Sequence, residues 1–229
     1  MARSYRFSRL WSEERGLTAL LVLLLLNIVL VSPLSYAFPA FSVITGLLIS
    51  LMLLAGIATM LGRWRSRAAF IVLSLFTILL FWTSLFTDLL WLDALKELLV
   101  LLSFSVITAL VLWQVNRGGA VTAHTIRGAI AGYLLIGTCF AHAYELVELL
   151  SPMAFQGAAA IPHTELAMTS TFQYFSMVTL TTVGYGDITA IHPAARSLVM
   201  LEALIGQLYP AILIARLVTL ELENKQAHR

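Results

Sequence analysis

Apolar residues run in long blocks along the chain, and short polar breaks separate the blocks. The six longest blocks cover residues 17–32, 41–61, 68–87, 94–115, 128–150 and 194–220. An α-helix rises 1.5 Å per residue, so about 20 apolar residues cross the ~30 Å hydrocarbon core of a membrane. The pattern therefore predicts an all-α integral membrane protein with six transmembrane helices.

A seventh apolar block, residues 166–180, is too short to cross a membrane comfortably. Its length favours a re-entrant helix, which enters and leaves the membrane on the same side. Composition agrees with membrane residence, since the chain is 60% hydrophobic and 11% charged, whereas soluble domains are about 25% charged. The net charge of +2 gives no reason to expect nucleic acid as a partner.

The basic residues predict the orientation of the spans. Of the 14 Lys and Arg residues, all but Lys96 and Arg196 fall at the N-terminus, in the second and fourth loops, or towards the C-terminus. Basic residues concentrate in cytoplasmic loops. We therefore expect a multi-pass protein with both termini in the cytoplasm. The compactness of the chain suggests the plasma (inner) membrane.

The first span has a second interpretation. Basic residues precede it and Ser35-Tyr36-Ala37 follows it, as in a cleaved signal peptide. Two acids, Glu13 and Glu14, interrupt the basic region and favour a retained helix.

Residues 181–187 read TTVGYGD and follow the short block directly. Irregular backbone within a membrane is tolerated only where it is buried in protein or lines a water-filled path. Gly184 and Gly186 can adopt positive φ, which lets successive carbonyl groups point the same way. The C-terminal end of the preceding helix favours a cation. Several copies of such a strip around an axis, with the Thr182 hydroxyl at its inner end, could surround an ion with oxygen atoms.

The string Thr182-Val183-Gly184-Tyr185-Gly186 resembles the selectivity filter of the potassium channel family. The resemblance extends over about residues 128–220 and implies a homotetramer with an outer helix, a pore helix, an extended filter loop and an inner helix. In this family filter carbonyl oxygens replace the water around K⁺. The resemblance implies that the chain needs no cofactor. It also implies that each chain contacts membrane lipids and K⁺ in addition to the other chains of the tetramer.

The same resemblance assigns supporting roles around the filter. Thr181, Tyr174, Phe175 and Asp187 would hold the loop, with Tyr174 bonded to Asp187 and Phe175 packed against Tyr185. Some family members have a glutamate where this chain has Val178. Arg196 is expected to make a structural contact.

Four residues of the last span are candidates for gating or for the ion path. Gly206 stands where many family members have a hinge glycine, and Pro210 removes a helix hydrogen bond. Close packing explains Gly206 equally well. Gln207 is a candidate for the water-filled cavity. Glu202 is favoured as a structural carboxyl behind the filter over a direct ion contact.

His142 and Glu145 share one face of the fifth span near its outer end. Either side chain could tether that helix to the outer part of the filter loop. Packing or solvation at the membrane edge is at least as good an explanation.

The first four spans correspond to a voltage sensor in many six-span potassium channels. Here the fourth span carries only Lys96 and Glu97, near its outer end, and no arginine repeat. The chain then divides into five parts. An interfacial N-terminal helix (1–16) is followed by a four-helix domain without gating charges (17–115) and a cytoplasmic linker (116–127). A pore domain (128–220) and a short tail (221–229) complete the division.

These observations predict passive, voltage-independent K⁺ conduction and no enzymatic activity, since no nucleophile triad, His/Cys metal spacing or phosphate loop is evident. Two alternatives stay open. A nonconducting scaffold or regulatory subunit would keep the spans, and a potassium uptake transporter subunit would need several filter copies in one chain.

Overall fold

The computed structural model describes residues 16–31, 34, 41–59, 64–85, 87, 89–117, 122–157 and 165–227. Residues 1–15 of the expected interfacial helix and the tripeptide 35–37 lie outside these ranges.

Seven helical segments and one small sheet make up the described chain. Helix α1 covers residues 16–31, and its last turn, Asn27–Val31, is π-helical. The other helices are α2 (Phe41–Thr59), α3 (Trp64–Ser84), α4 (Leu90–Arg117), α5 (Ala123–Leu150), α6 (Glu165–Leu180) and α7 (Pro193–Ala227). The strands are β1 (Phe155–Gly157) and β2 (Ile188–Ala190). The predominantly helical class is thus confirmed.

Three helices in the described ranges are long and apolar enough to cross a membrane. They contain the segments Leu90–Asn116, Thr125–Leu150 and Pro193–Thr219, in α4, α5 and α7. Helices α1, α2 and α3 contain shorter apolar stretches of 10–17 residues. An integral membrane protein is therefore supported, whereas crossing by the first three helices stays a prediction. Helix α6 has 16 residues, close to the short helix expected from the sequence.

Helix α5 belongs to two separate apolar clusters. Its N-terminal half, including Leu135, packs with buried residues of α1 to α4, such as Leu20 and Ile107. Its C-terminal half contributes Tyr144 to a second cluster with Phe172 of α6 and residues of α7 and β1. Helix α5 is thus the shared wall between the first four helices and the remaining part of the chain.

The small antiparallel sheet joins the segment after α5 to the segment before α7. Phe155 pairs with Ala190, and Gly157 pairs with Ile188. The carboxylate of Glu148 accepts hydrogen bonds from two backbone N–H groups of the turn that leads into β1. This sheet was not predicted from the sequence, because each strand has three residues, too few for an alternating pattern to be recognised. Strand β2 begins directly after Asp187, so the sheet holds the outer end of the TTVGYGD segment.

Candidate functional site

Residues 181–187 form a loop that starts at the C-terminus of α6. The first turn is tied back to the helix, because the Thr181 N–H and hydroxyl both donate to the Met177 carbonyl, at 3.0 and 2.7 Å. The N–H groups of Val183 and Gly184 donate to the Val178 carbonyl at 3.0 and 3.3 Å. The amide hydrogens at the start of the loop therefore face the end of α6.

Positive φ angles recur at every second residue of the loop. They are +61° at Thr182, +55° at Gly184 and +78° at Gly186. A positive φ at alternate residues lets consecutive carbonyl groups point to one side, as expected for the two glycines. The third position, Thr182, was not expected, because this conformation is uncommon for a residue with a Cβ.

The carbonyl groups of the loop have no hydrogen-bond donor within the described ranges. No hydrogen bond there ends on the carbonyl of Thr182, Val183, Gly184 or Tyr185. The side chains of Val183 and Tyr185 are 52% and 71% exposed in the single chain. At membrane depth such groups require protein or a water-filled path around them. The described part of one chain therefore leaves these carbonyl groups without a partner.

The outer end of the loop is held by the hydrogen bond expected from the sequence. The Tyr174 hydroxyl on α6 donates to Asp187 Oδ2 at 2.8 Å. The expected contact of Phe175 with Tyr185 is not found in the described part of the chain. Phe175 turns inward instead, and its ring centroid lies 5.1 Å from that of Tyr144 and 5.6 Å from that of Phe155.

The expected structural contact of Arg196 is confirmed. Its Nε donates to the Ala190 carbonyl, the last residue of β2, at 3.1 Å. The first turn of α7 is thereby tied to the strand that follows the loop.

The inner end of the loop rests on the carbonyl group of Leu180, where three helices meet. The Tyr133 hydroxyl of α5 donates to this oxygen at 2.9 Å. On the other side α7 approaches through Gly206, where a Cβ would lie 2.0 Å from the same oxygen. A glycine is therefore required here by close packing.

Glu202 is buried between α5, α6 and α7, with none of its surface exposed. The Tyr144 hydroxyl donates to its Oε2 at 2.5 Å. Its Oε1 lies 2.5 Å from Ser176 Oγ, which is also 2.6 Å from the Gly137 carbonyl. A serine hydroxyl has one hydrogen, so both short contacts are hydrogen bonds only if Glu202 donates to Ser176. The geometry therefore fits a protonated carboxyl that joins three helices behind the loop.

The two remaining candidates of α7 lie towards the outside of the single chain. Gln207 is exposed and Pro210 is half-buried, and α7 continues as one helix through the proline. Bending of the helix at Gly206 and Pro210, and a place for Gln207 in a water-filled cavity, both stay predictions.

Residues 129–222 match a protein-family model described as "Ion channel". This stretch, which begins within α5 and ends within α7, is similar to an ion-channel domain, and we refer to it as the channel domain. The match supports the resemblance to the potassium channel family that the TVGYG string indicates. No curated protein and no solved structure matches the chain significantly.

The channel domain contains supporting residues that sequence reasoning missed. Tyr133, Tyr144 and Ser176 hold the loop from behind through hydrogen bonds to Leu180 or Glu202. Their only signal in the sequence is a hydroxyl group within an apolar helix, which does not reveal the partner.

The role of Glu202 can be tested with a neutral isostere. Glu202→Gln keeps an acceptor for Tyr144 and supplies an N–H donor for Ser176, so we expect the thermal stability of the purified protein to stay close to wild type. Glu202→Ala leaves two buried hydroxyls without this partner and creates a void, and should lower the unfolding free energy by about 2 kcal/mol or more. Equal damage by both variants would show that the carboxyl must be ionised.

Gly206→Ala distinguishes packing from hinge function. Alanine normally stabilises a helix relative to glycine by about 1 kcal/mol, but here the new Cβ would meet the Leu180 carbonyl. We expect destabilisation by about 1–3 kcal/mol in thermal unfolding. Ser197→Ala, at an exposed position of α7, is the control and should be near neutral. A Gly206→Ala protein of normal or raised stability that opens poorly would favour the hinge.

Proposed function

We propose that this protein is a potassium-selective channel in which four identical chains surround one pore. The observation that carries the proposal is the loop 181–187, whose carbonyl groups at residues 182–185 have no donor while its first N–H groups bond to the end of α6. Four such loops around an axis would form rings of oxygen atoms. These rings would replace the hydration shell of K⁺ as it enters the filter.

Selectivity would arise from the oxygen rings, and two other groups would assist. The Thr182 hydroxyl would add an oxygen ligand at the inner end. Helix α6 directs its C-terminal carbonyl groups towards the start of the loop, and this partly negative end stabilises a cation nearby. Conduction would be passive, down the electrochemical gradient.

Assembly into a tetramer is supported by the surface of α7. Only 11% of its apolar segment is buried in the single chain, compared with 56% for α5. Four apolar residues spaced four apart form a stripe along α7, and each is more than half exposed: Met200, Leu204, Leu208 and Ile212. Such a stripe fits helix contacts between copies or contact with lipid.

The burial and pairing of Lys96 on α4 support an opening mechanism that does not sense voltage. Lys96, near its outer end, is 2% exposed and lies 3.1 Å from the carboxylate of Glu97. A buried ion pair of this kind is costly to separate. We therefore include voltage-independent opening in the proposal, with six membrane crossings in a plasma (inner) membrane and both termini in the cytoplasm.

The two alternatives predict different ion movements. A nonconducting scaffold would give no flux. A transporter subunit would need several filter copies, and the chain contains one TVGYG string.

Ion flux from liposomes containing the purified protein tests the proposal. We expect uncoupled K⁺ efflux that exceeds Na⁺ efflux and is blocked by Ba²⁺. Gly184→Ala should reduce K⁺ efflux by more than about tenfold, because φ is +55° there and a Cβ in this conformation costs roughly 1–2 kcal/mol in each chain. The space around Gly184 is open, so the variant should fold.

Leu75→Ala, on an exposed face of α3, is the control for this experiment and should conduct normally. Equal K⁺ and Na⁺ efflux from the wild-type protein would contradict the proposed selectivity. Absence of any flux from correctly folded protein would favour the scaffold.

Recording from single channels in planar bilayers tests the voltage independence. Each gating charge moved across the membrane contributes ~2.3 kcal/mol per 100 mV, so a chain without such charges should show a shallow dependence of open probability on voltage. Lys96→Gln should leave that slope unchanged. An e-fold rise in open probability every few millivolts would refute this part of the proposal.

A further inference from the structure

A cluster of ionisable side chains is buried where α4, α5 and α6 meet. Lys96 and Glu97 on α4 are each 2% exposed, and His142 and Glu145 on α5 are 4% and 0% exposed. Charged groups are rarely so buried unless they are paired or bind a metal ion. The cluster lies outside the filter loop, and the conduction mechanism above makes no use of it.

Most of the polar atoms of the cluster have partners. Glu97 Oε1 lies 3.1 Å from Lys96 Nζ, and Glu97 Oε2 lies 2.7 Å from His142 Nδ1. The Thr169 hydroxyl of α6 donates to Glu145 Oε1 at 2.9 Å. The second oxygen, Glu145 Oε2, is buried and has no hydrogen-bond partner in the described residues. A buried acceptor without a partner costs about 1–3 kcal/mol, more if it is charged.

One imidazole nitrogen and two carboxylate oxygens of the cluster lie close together. Ligand atoms of Glu97, His142 and Glu145 all lie within 4.8 Å of one another. His142 is held in orientation by the Phe104 ring, which stacks on it with centroids 5.7 Å apart and planes inclined by 9°. The set thus combines a fixed imidazole with two carboxylates, one of which has an oxygen available.

We propose that Glu97, His142 and Glu145 bind a divalent transition-metal ion such as Zn²⁺. Imidazole nitrogen and carboxylate oxygen are ordinary Zn²⁺ ligands at about 2.0–2.2 Å, which sets ligand atoms about 3.4 Å apart in a tetrahedral site. Small side-chain movements bring the three groups to that spacing. The ion takes the place of the hydrogen bond between Glu97 and His142, while Lys96 stays on the other oxygen of Glu97.

The ion would connect the four-helix part of the chain to the channel domain. Glu97 belongs to α4, and His142 and Glu145 belong to α5. Thr169 of α6 contacts the Glu145 ligand directly. Because α6 leads into the filter loop, a bound ion would strengthen the attachment of the helix that supports the loop. This inference concerns ion binding by the folded protein and does not depend on the proposed conduction.

Equilibrium dialysis of chelator-treated, purified protein against Zn²⁺ in a K⁺ buffer tests the site. We expect about one Zn²⁺ per chain and a rise in Tm on binding. Loss of a group that merely supports a ligand weakens metal sites 10–100-fold, so Glu145→Gln and His142→Asn should weaken Zn²⁺ binding by more than about tenfold. Glu145→Gln keeps an acceptor for Thr169, which preserves the fold.

Two controls make the outcome decisive. His192→Gln removes an exposed histidine and should leave Zn²⁺ binding and the rise in Tm unchanged. Co²⁺ should give a visible absorption spectrum in wild type that is absent in Glu145→Gln. The proposal would be overturned if wild-type protein showed no saturable Zn²⁺ binding. It would also be overturned if folded Glu145→Gln and His142→Asn bound Zn²⁺ as tightly as wild type.

Discussion

The backbone of residues 181–187 must satisfy its polar groups, and within the described chain it does so only in part. Its first N–H groups do so by bonding to the last turn of α6, principally to the Val178 carbonyl. The carbonyl groups of residues 182–185 are left without donors in the described chain. Under the function proposed above, the complement of these free acceptors is a desolvated cation surrounded by further copies of the same loop.

The rest of the channel domain keeps this loop in place from three sides. Outside, Tyr174 bonds to Asp187, and the two-stranded sheet continues from there. Inside, the Leu180 carbonyl accepts a hydrogen bond from the Tyr133 hydroxyl, and Gly206 packs closely against the same carbonyl. Behind, hydroxyl groups from two helices surround the buried carboxyl of α7. A loop with positive φ at a threonine is strained, and such conformations persist only where the surroundings determine them fully.

Helix α5 packs against two parts of the molecule. One half packs with α1 to α4, and the other half packs with α6, α7 and the sheet. The buried cluster of Glu97, His142 and Glu145 lies on this shared wall. Buried polar side chains therefore connect α4 to α5 at this place, through the contact of Glu97 with His142.

The sequence by itself determined membrane residence, the predominantly helical class and the TVGYG string, because apolar run length and glycine spacing are local properties of the chain. Only the tertiary structure showed that Phe175 turns towards Tyr144, that Gly206 is needed for close packing, and that Glu202 links three helices. Each of these depends on which residues of distant segments come together. Side-chain partners across helices have no fixed spacing in sequence, so no periodicity could have revealed them.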